Sequence, residues 1–381
     1  MHIISFDVPY PVDYGGVFDL FYKLPALQQQ GVHIHLHCFE YGRGEQSELN
    51  KYCDSVSYYK RQLGHKGISM RLPYIVASRR NEKLFQNLLK DDYPILMEGI
   101  HCTYLLNDKR FANREKFVRI HNVEYQYYQN LYESANSPLL KIFYKRESNL
   151  LKKYESSIIT KASAFWGVTP TDVDIYKKEF GCTNIDYLPL YLPPEWAVKC
   201  LEGKGSYCLY QGDLSVDTNE KAAIFLLKNV FNEIKLPLVI AGKNPSKRLE
   251  RLSHEQQYTC LVANPDGKEM QDMIARAHLH ILPSLSNTGI KLKLLNALFN
   301  GRHCVVNLAT VEGSGLESLC HIAYNEDSMK SIIQELYNQP FNCNIINERK
   351  LILNNMFNNE RNAKQQVNQI WENKIINKYF I

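Results

Sequence analysis

The residues of this chain best suited to chemistry are Asn287-Thr288-Gly289-Ile290, followed at once by Lys291 and Lys293. They lie after the apolar run Leu279–Leu282 and open an amphipathic stretch that reaches Gly301. A helix start presents unpaired N–H groups and the positive end of its dipole, so such a loop suits a phosphate. Lys291 and Lys293 fall in the first turn, where a cation opposes the dipole; an anion bound at the loop would remove that conflict. A solvated lysine pair on an ordinary helix is the competing reading of the same spacing. Near the N-terminus the run His2–Phe6 leads through Pro9 to Tyr14 into Gly15 and Gly16 and then a second helix. Two glycines at a strand-to-helix turn permit positive φ and close backbone approach to a phosphate or sugar, although the spacing is not the dinucleotide fingerprint.

Other polar groups fall at strand ends. His121 and Asn122 follow the apolar strand Lys116–Ile120 and can hydrogen-bond a hydroxylated ligand. Glu98 and His101 follow the preceding strand, a carboxylate and an imidazole able to serve as acid and base. In the second half, Gly212 and the pair Gly242-Lys243 follow apolar strands at turns into helices, the first capped by Thr218 or Asn219. Ala263-Asn264-Pro265-Asp266 offers backbone groups at a strand end to the edge of a flat base. No Asp-x-Asp pair directly follows a strand, so neither a metal nor another cofactor is expected.

These groups must be positioned by βα units. Strands are expected at His2–Phe6, Val32–Cys38, Ser55–Tyr59, Ile95–Glu98, Lys116–Ile120, Ala164–Val168 and Ile185–Leu188, with helices near 17–30, 81–90, 139–160 and 171–180. Thr169 is the expected N-cap of the last, with Pro170 in its first turn. A second series follows at Tyr207–Gln211, Leu238–Ala241, Thr259–Val262, Leu279–Leu282, Cys304–Val306 and His321–Ala323. The fold class is therefore α/β, two doubly wound domains at 1–190 and 206–355, joined by a Pro- and Gly-bearing linker at 191–205. The segment 356–381 is helical in pattern with an aromatic end at Trp371, Tyr379 and Phe380, and either returns to the first domain or frays.

Composition narrows the partners. A net charge of +5 with no long basic run gives nucleic acid no footprint. Ten scattered cysteines without CxxC spacing read as buried apolar residues in a reducing compartment. The N-terminus shows no signal-peptide pattern and no stretch spans a membrane, so a cytoplasmic protein is expected. Lys141–Glu155 mixes basic with apolar and aromatic residues; packing on its own domain is the favoured reading and a peripheral membrane contact the alternative.

The order of a Gly-rich first loop, HNVE, YQGDL, VIAGK and PSLSNTGIKLKLLNAL…G resembles the GT-B-fold glycosyltransferases related to family 4, over nearly the whole chain. Bacterial members carrying G-x-G-I-K-x-K-x-L-E-A-L are particularly similar, and RIHNVEYQYYQNLY…FYKRESNLLKKYE resembles the N-terminal domain of capsule and surface-polysaccharide transferases. The resemblance implies two Rossmann-like domains facing a central cleft and transfer of a sugar, with retained anomeric configuration, from a nucleotide-sugar to an acceptor hydroxyl in surface glycan synthesis. It implies catalytic roles for His121 and Lys291. Donor binding would fall to Gly15, Gly16, Asn122, Gly212, Gly242, Lys243, Asn287, Thr288, Gly289, Ile290, Lys293 and Asn296. The acceptor would be a glycan or a lipid-linked sugar at the inner face of the membrane. Three residues depart from the pattern: Thr288 and Asn296 stand at the two acidic places of Glu-x7-Glu, and Asp213 where the family often has arginine. An amide lacks the charge-assisted strength of a carboxylate toward ribose hydroxyls. Two alternatives follow: a weak or inactive nucleotide-sugar-binding or partner protein, and a sugar-nucleotide epimerase.

Overall fold

The computed structural model describes residues 1–286 and 289–378, with side chains through Trp371. The chain forms two compact units, Met1–Pro194 together with the residues from Phe357 on, and Glu195–Met356.

The first unit holds seven strands: β1 (His2–Ser5), β2 (His35–Glu40), β3 (Ser55–Lys60), β4 (Ile95–Glu98), β5 (Lys116–Ile120), β6 (Ala164–Gly167) and β7 (Ile185–Tyr187). They pair in parallel in the order β3-β2-β1-β4-β5-β6-β7. Side chains alternate between the faces of a strand, so a sheet covered on both sides needs apolar residues at both parities. Ile4, Met97, Val118 and Phe165 enter one core, while Ile3, Leu96, Phe117 and Trp166 enter the other. The second core also receives Leu20, Leu24 and Leu27 of helix α1 (Gly15–Gln29), and Ala363 and Ile370 of the helix Asn359–Lys378. Trp166 donates its indole N–H to Gln369 Oε1 at 2.5 Å, tying that returning helix to β6. Tyr379 and Phe380 lie outside the described residues.

Among the α-helices of this unit, sequence pattern missed the single turn Tyr74–Ala77 and one longer helix. HNVEYQYYQNLY carries an apolar-poor helix, Glu124–Ser134, whose first two N–H groups are received by the Glu155 carboxylate at 3.0 Å each. The cap comes from a side chain thirty residues away, so no local signal announced it. Thr169 does cap Pro170–Phe180, accepting from Asp172 N.

The second unit holds β8 (Cys208–Asp213), β9 (Leu238–Lys243), β10 (Thr259–Ala263), β11 (Leu279–Ile281), β12 (His303–Asn307) and β13 (His321–Ala323), all parallel, in the order β10-β9-β8-β11-β12-β13. Leu209 and Ala241 pack against Ile274 and Ala277. This is the doubly wound Rossmann order, and its winding reverses between β8 and β11; in the first unit the reversal falls between β1 and β4. Ligands of such sheets bind beyond the carboxyl ends of the strands at the reversal. Those ends are Phe6 to Gly16 with Glu98 to His101 in one unit, and Gln211 to Asp213 with the loop before Leu292 in the other. Among the described residues no helix is long and apolar enough to cross a membrane.

Candidate functional site

Strand parity puts Glu98 and Arg119 on the α1 side of the first sheet, and helical spacing puts Asp19 and Lys23 on the face of α1 that meets them. Lys23 Nζ lies 2.6 Å from Glu98 Oε1 and 3.0 Å from Asp19 Oδ2. Arg119 donates to Asp19 through Nε and Nη2, at 2.9 and 3.2 Å, and to the carbonyls of Leu188 and Pro189. Burial opposes ionisation of Asp19, but Arg119 and Lys23 overcome it and hold the carboxyl well below its ordinary range. Glu98 is likewise lowered despite burial, by Lys23 and then His121. Two acids thus balance two bases.

His121 Nε2 stands 2.9 Å from Glu98 Oε2 with the ring 11% exposed. Because Glu98 stays ionised, a neutral His121 must donate from Nε2, which leaves Nδ1 with a lone pair. Among the described residues Asp19, Glu98 and His121 could meet one cation. Lys23, bridging both carboxylates, already supplies the positive charge there, and the set does not fit a resident metal. His101 stacks on Phe6 at 4.7 Å, and His121 meets the same ring edge-on at 5.8 Å. Burial, then Arg79 and His121, keeps His101 neutral. Asn122 hydrogen-bonds Glu124, a buried carboxyl pushed up to about 8 by burial and by Glu155.

The glycines of the first loop act differently from their sequence reading. Gly15 and Gly16 begin α1, and neither has positive φ. Gly16 is needed for space, since a Cβ there would meet the Tyr14 ring at 2.5 Å and Phe6 at 3.0 Å. Tyr14 in turn donates to Asp7 at 2.7 Å. Gly212 and Gly242 are not in turns either: they pair with each other inside β8 and β9, where a Cβ on Gly242 would strike the Gly212 carbonyl. Lys243, exposed, ends β9.

In the second unit the helix Leu292–Asn300 begins at Lys291, its N-cap residue, with Ile290 and Gly289 (φ 64°) before it. Asn287 and Thr288 lie outside the described residues. Lys293 is half-buried under this helix start. Its ammonium is 3.1 Å from Asn219 Oδ1, 3.3 Å from the Tyr210 hydroxyl and 4.9 Å from the centre of the Tyr210 ring. Burial, and then Lys291, lowers its pKa to about 8. Gln211 reaches from β8 to the Lys293 carbonyl at 3.1 Å and fixes this turn. Asn219 is not the expected cap: Asp217–Phe225 starts after Val216 with no side-chain cap, and the Asn219 amide instead bridges the Asp213 carbonyl and Lys293. Asn296 accepts from Asn300 at 2.9 Å, and Asp213 accepts from Ser215.

Each unit thus gathers its own group. Around β1 and β4 stand Gly16, Phe6, Glu98, His101, His121 and the Lys23–Asp19–Arg119 network; around β8 and the helix at Leu292 stand Gln211, Asn219, Tyr210 and Lys293. Sequence reading missed Asp19, Lys23, Tyr210 and Asn219. Spacing of four between Asp19 and Lys23 was the available signal for the first pair.

Residues 205–338 match the family described as Glycosyl transferases group 1. A curated relative, an uncharacterized 44.6 kDa protein in the cps region of Klebsiella pneumoniae, is 26% identical over 333 residues, 82% of this chain and 84% of the relative. Among solved structures, a Rickettsia africae glycosyltransferase superposes with TM-score 0.65 at 13% identity, over 97% of this chain and 98% of that one. An S. aureus TarM variant in complex with fondaparinux, α-GlcNAc-glycerol and UDP gives 0.65 at 12% identity, over 97% and 99%. WaaG, a glycosyltransferase involved in lipopolysaccharide biosynthesis, gives 0.62 at 10% identity, over 97% and 100%. The fold is GT-B, and residues 205–338 of its second unit match the family described as Glycosyl transferases group 1.

Proposed function

We propose that the protein is a retaining, metal-independent glycosyltransferase that moves a sugar from a nucleotide-sugar to an acceptor hydroxyl in surface glycan synthesis. The carrying observation is Lys293, a half-buried ammonium at a helix start that hydrogen-bonds only neutral partners among the described residues. A buried cation is costly without a counter-charge. A nucleoside diphosphate supplies one, and its negative charge grows as it departs from the sugar, where Lys293, Lys291 and the helix N–H groups stabilise it. The UDP in the TarM complex and the location of the K. pneumoniae relative in a cps region support the donor class and the pathway.

In this reading the first unit holds the acceptor. His121, oriented by Glu98, offers Nδ1 to a sugar or acceptor hydroxyl. The helix Pro138–Ile158 supports an acceptor at a membrane surface. Its C-terminal half is anchored by Leu151, Tyr154 and Ile158, whereas Leu139 (79% exposed), Ile142 (69%) and nearby Met70 (84%) stand in solvent beside Lys141 and Lys145. The anchored half fits packing on its own domain, and the exposed half is where a membrane contact is proposed. Flotation with anionic vesicles should carry the protein upward, and Leu139→Ser with Ile142→Ser should abolish it.

Incubation with a panel of nucleotide-sugars tests the main proposal. Slow release of nucleoside diphosphate, undiminished by EDTA, is expected; absence of binding and hydrolysis with every donor would overturn it. Asn296, whose amide oxygen is taken by Asn300, favours one second reading, a nucleotide-sugar-binding partner protein, which would bind a donor without releasing diphosphate.

A further inference from the structure

Arg61, just past β3, and Arg79, after the helical turn Tyr74–Ala77, both lie over the Tyr41 ring, at 4.7 and 5.7 Å from its centre. Arg61 also lies over Tyr74 at 5.3 Å, and Arg79 over Phe6 at 5.8 Å. Like charges so placed repel, and the charge of Arg61 adds to burial in disfavouring the Arg79 cation. A carboxylate between them would be the usual remedy, yet no ion pair within 4.0 Å involves either residue among those described. Arg79 spends Nε on the Phe6 carbonyl at 3.0 Å and Nη1 on the Ile75 carbonyl at 2.8 Å; Arg61 spends Nε on Ser78 Oγ at 3.1 Å. Arg79 Nη2 and both terminal nitrogens of Arg61 bond to no described residue. Arg79 is only 3% exposed, so its guanidinium is held in place rather than free to swing. One fixed fork, Arg79, and the open N–H groups of Arg61 beside it suit the geometry of an oxyanion.

Phe6 places this pair relative to the chemistry. One face of its environment carries Arg79, and the same ring touches His101 and His121. We propose that Arg61 and Arg79, which share the Tyr41 ring, bind an oxyanion carried by the acceptor, either a phosphate or a sugar carboxylate, one aromatic ring away from His121. The assignment of the anion to the acceptor rests on the glycosyltransferase reading; the anion site itself does not.

The test uses the full chain without donor. Inorganic phosphate and glucuronate are titrated calorimetrically into the unsubstituted protein and into Arg61→Gln, Arg79→Lys and Lys293→Gln. Arg79 also holds two carbonyls and its variant risks misfolding, whereas Arg61 is half-exposed and tied only to Ser78, so Arg61→Gln decides the question. Binding of at least one anion is expected, weakened about tenfold or more by Arg61→Gln and retained in Lys293→Gln. Preference for phosphate points to a phosphate-bearing acceptor, and preference for glucuronate to an acidic sugar. Failure of both anions to bind, or binding lost with Lys293→Gln and untouched by Arg61→Gln, would overturn the proposal. Since no nucleotide-sugar is present, that failure leaves the transferase reading standing, and failure of every donor leaves this site standing.

Discussion

In the first unit Asp19, Lys23, Glu98 and Arg119 meet inside the core with acids and bases matched, whereas in the second the half-buried ammonium of Lys293 faces a phenol, an amide and an aromatic ring. Both arrangements remove charge from water, and the physical cost is met differently. The matched network satisfies itself, so its function is to hold Glu98 and through it His121 in one orientation. Lys293 has hydrogen-bond partners but no counter-charge among the described residues, and in the proposed function a nucleoside diphosphate supplies it. A site that orients a reacting group and a site that receives an anion are thus distinguishable by whether their buried charges already cancel.

Breaking the matched network has the largest expected effect. Asp19→Asn leaves Lys23 and Arg119 short of a counter-charge and should cost about 3–5 kcal/mol in denaturant unfolding. A loss below about 1 kcal/mol would show that the network is not the self-sufficient one described.

Acidification separates the units next. In the second, burial holds His278, His280, His303 and His321 below their usual value, His280 and His303 at about 3. Below about pH 6.5 the unfolded chain binds protons that these folded rings refuse, so stability falls as pH drops from 6.5 toward 3, by at most about 1.4 kcal/mol per pH unit for each ring. In the first unit His2, His37 and His101 act in the same sense, but burial raises Glu124 to about 8, Glu155 to about 7, and Glu147 as well. Raised carboxyls bind protons in the folded state first and add stability as pH falls from 8 toward 4.5. Hydrogen exchange at pH 7 and 5.5 should therefore show protection declining in residues 195–356 more than in 1–194. Equal decline would break the contrast.

Lys293→Met should weaken nucleoside diphosphate binding about tenfold or more while leaving unfolding stability equal or higher, because a desolvated charge is removed. Lys291→Ala should lower turnover by a similar factor without the gain in stability. A destabilised Lys293→Met protein would mean that its neutral partners already satisfy the ammonium. The smallest effect is a titration: the affinity for nucleoside diphosphate should fall as pH rises through about 8, where Lys293 loses its proton in the free protein, by no more than about tenfold per pH unit. An affinity flat from pH 7 to 9.5 would detach Lys293 from the donor.

Much of the fold could be read from pattern, because each strand is short, apolar and bounded by turn residues, and the strand ends at Glu98, Ile120 and Asp213 fall within two residues of those expected. The helix start at Lys291 was readable for the same reason. What could not be read depends on partners distant in sequence. Glu155 caps a helix thirty residues before it, Asn219 turns from an apparent cap into a lysine ligand, and Gly212 and Gly242 prove to be neighbours on adjacent strands. The burial of Lys293 follows from Tyr210 beneath it, eighty residues earlier, and no local spacing encodes that.

The helix Asn359–Lys378 adds a consequence for synthesis. Its Ala363 and Ile370 complete a core whose other members lie before residue 192, with all of Glu195–Met356 interposed. On the ribosome the second unit is therefore finished before the first, and the early-made surface around Leu20, Leu24 and Tyr191 waits uncovered in the meantime. A nascent chain of this design is most exposed to wrong association in its oldest part, and that part needs protection for as long as the younger one takes to emerge.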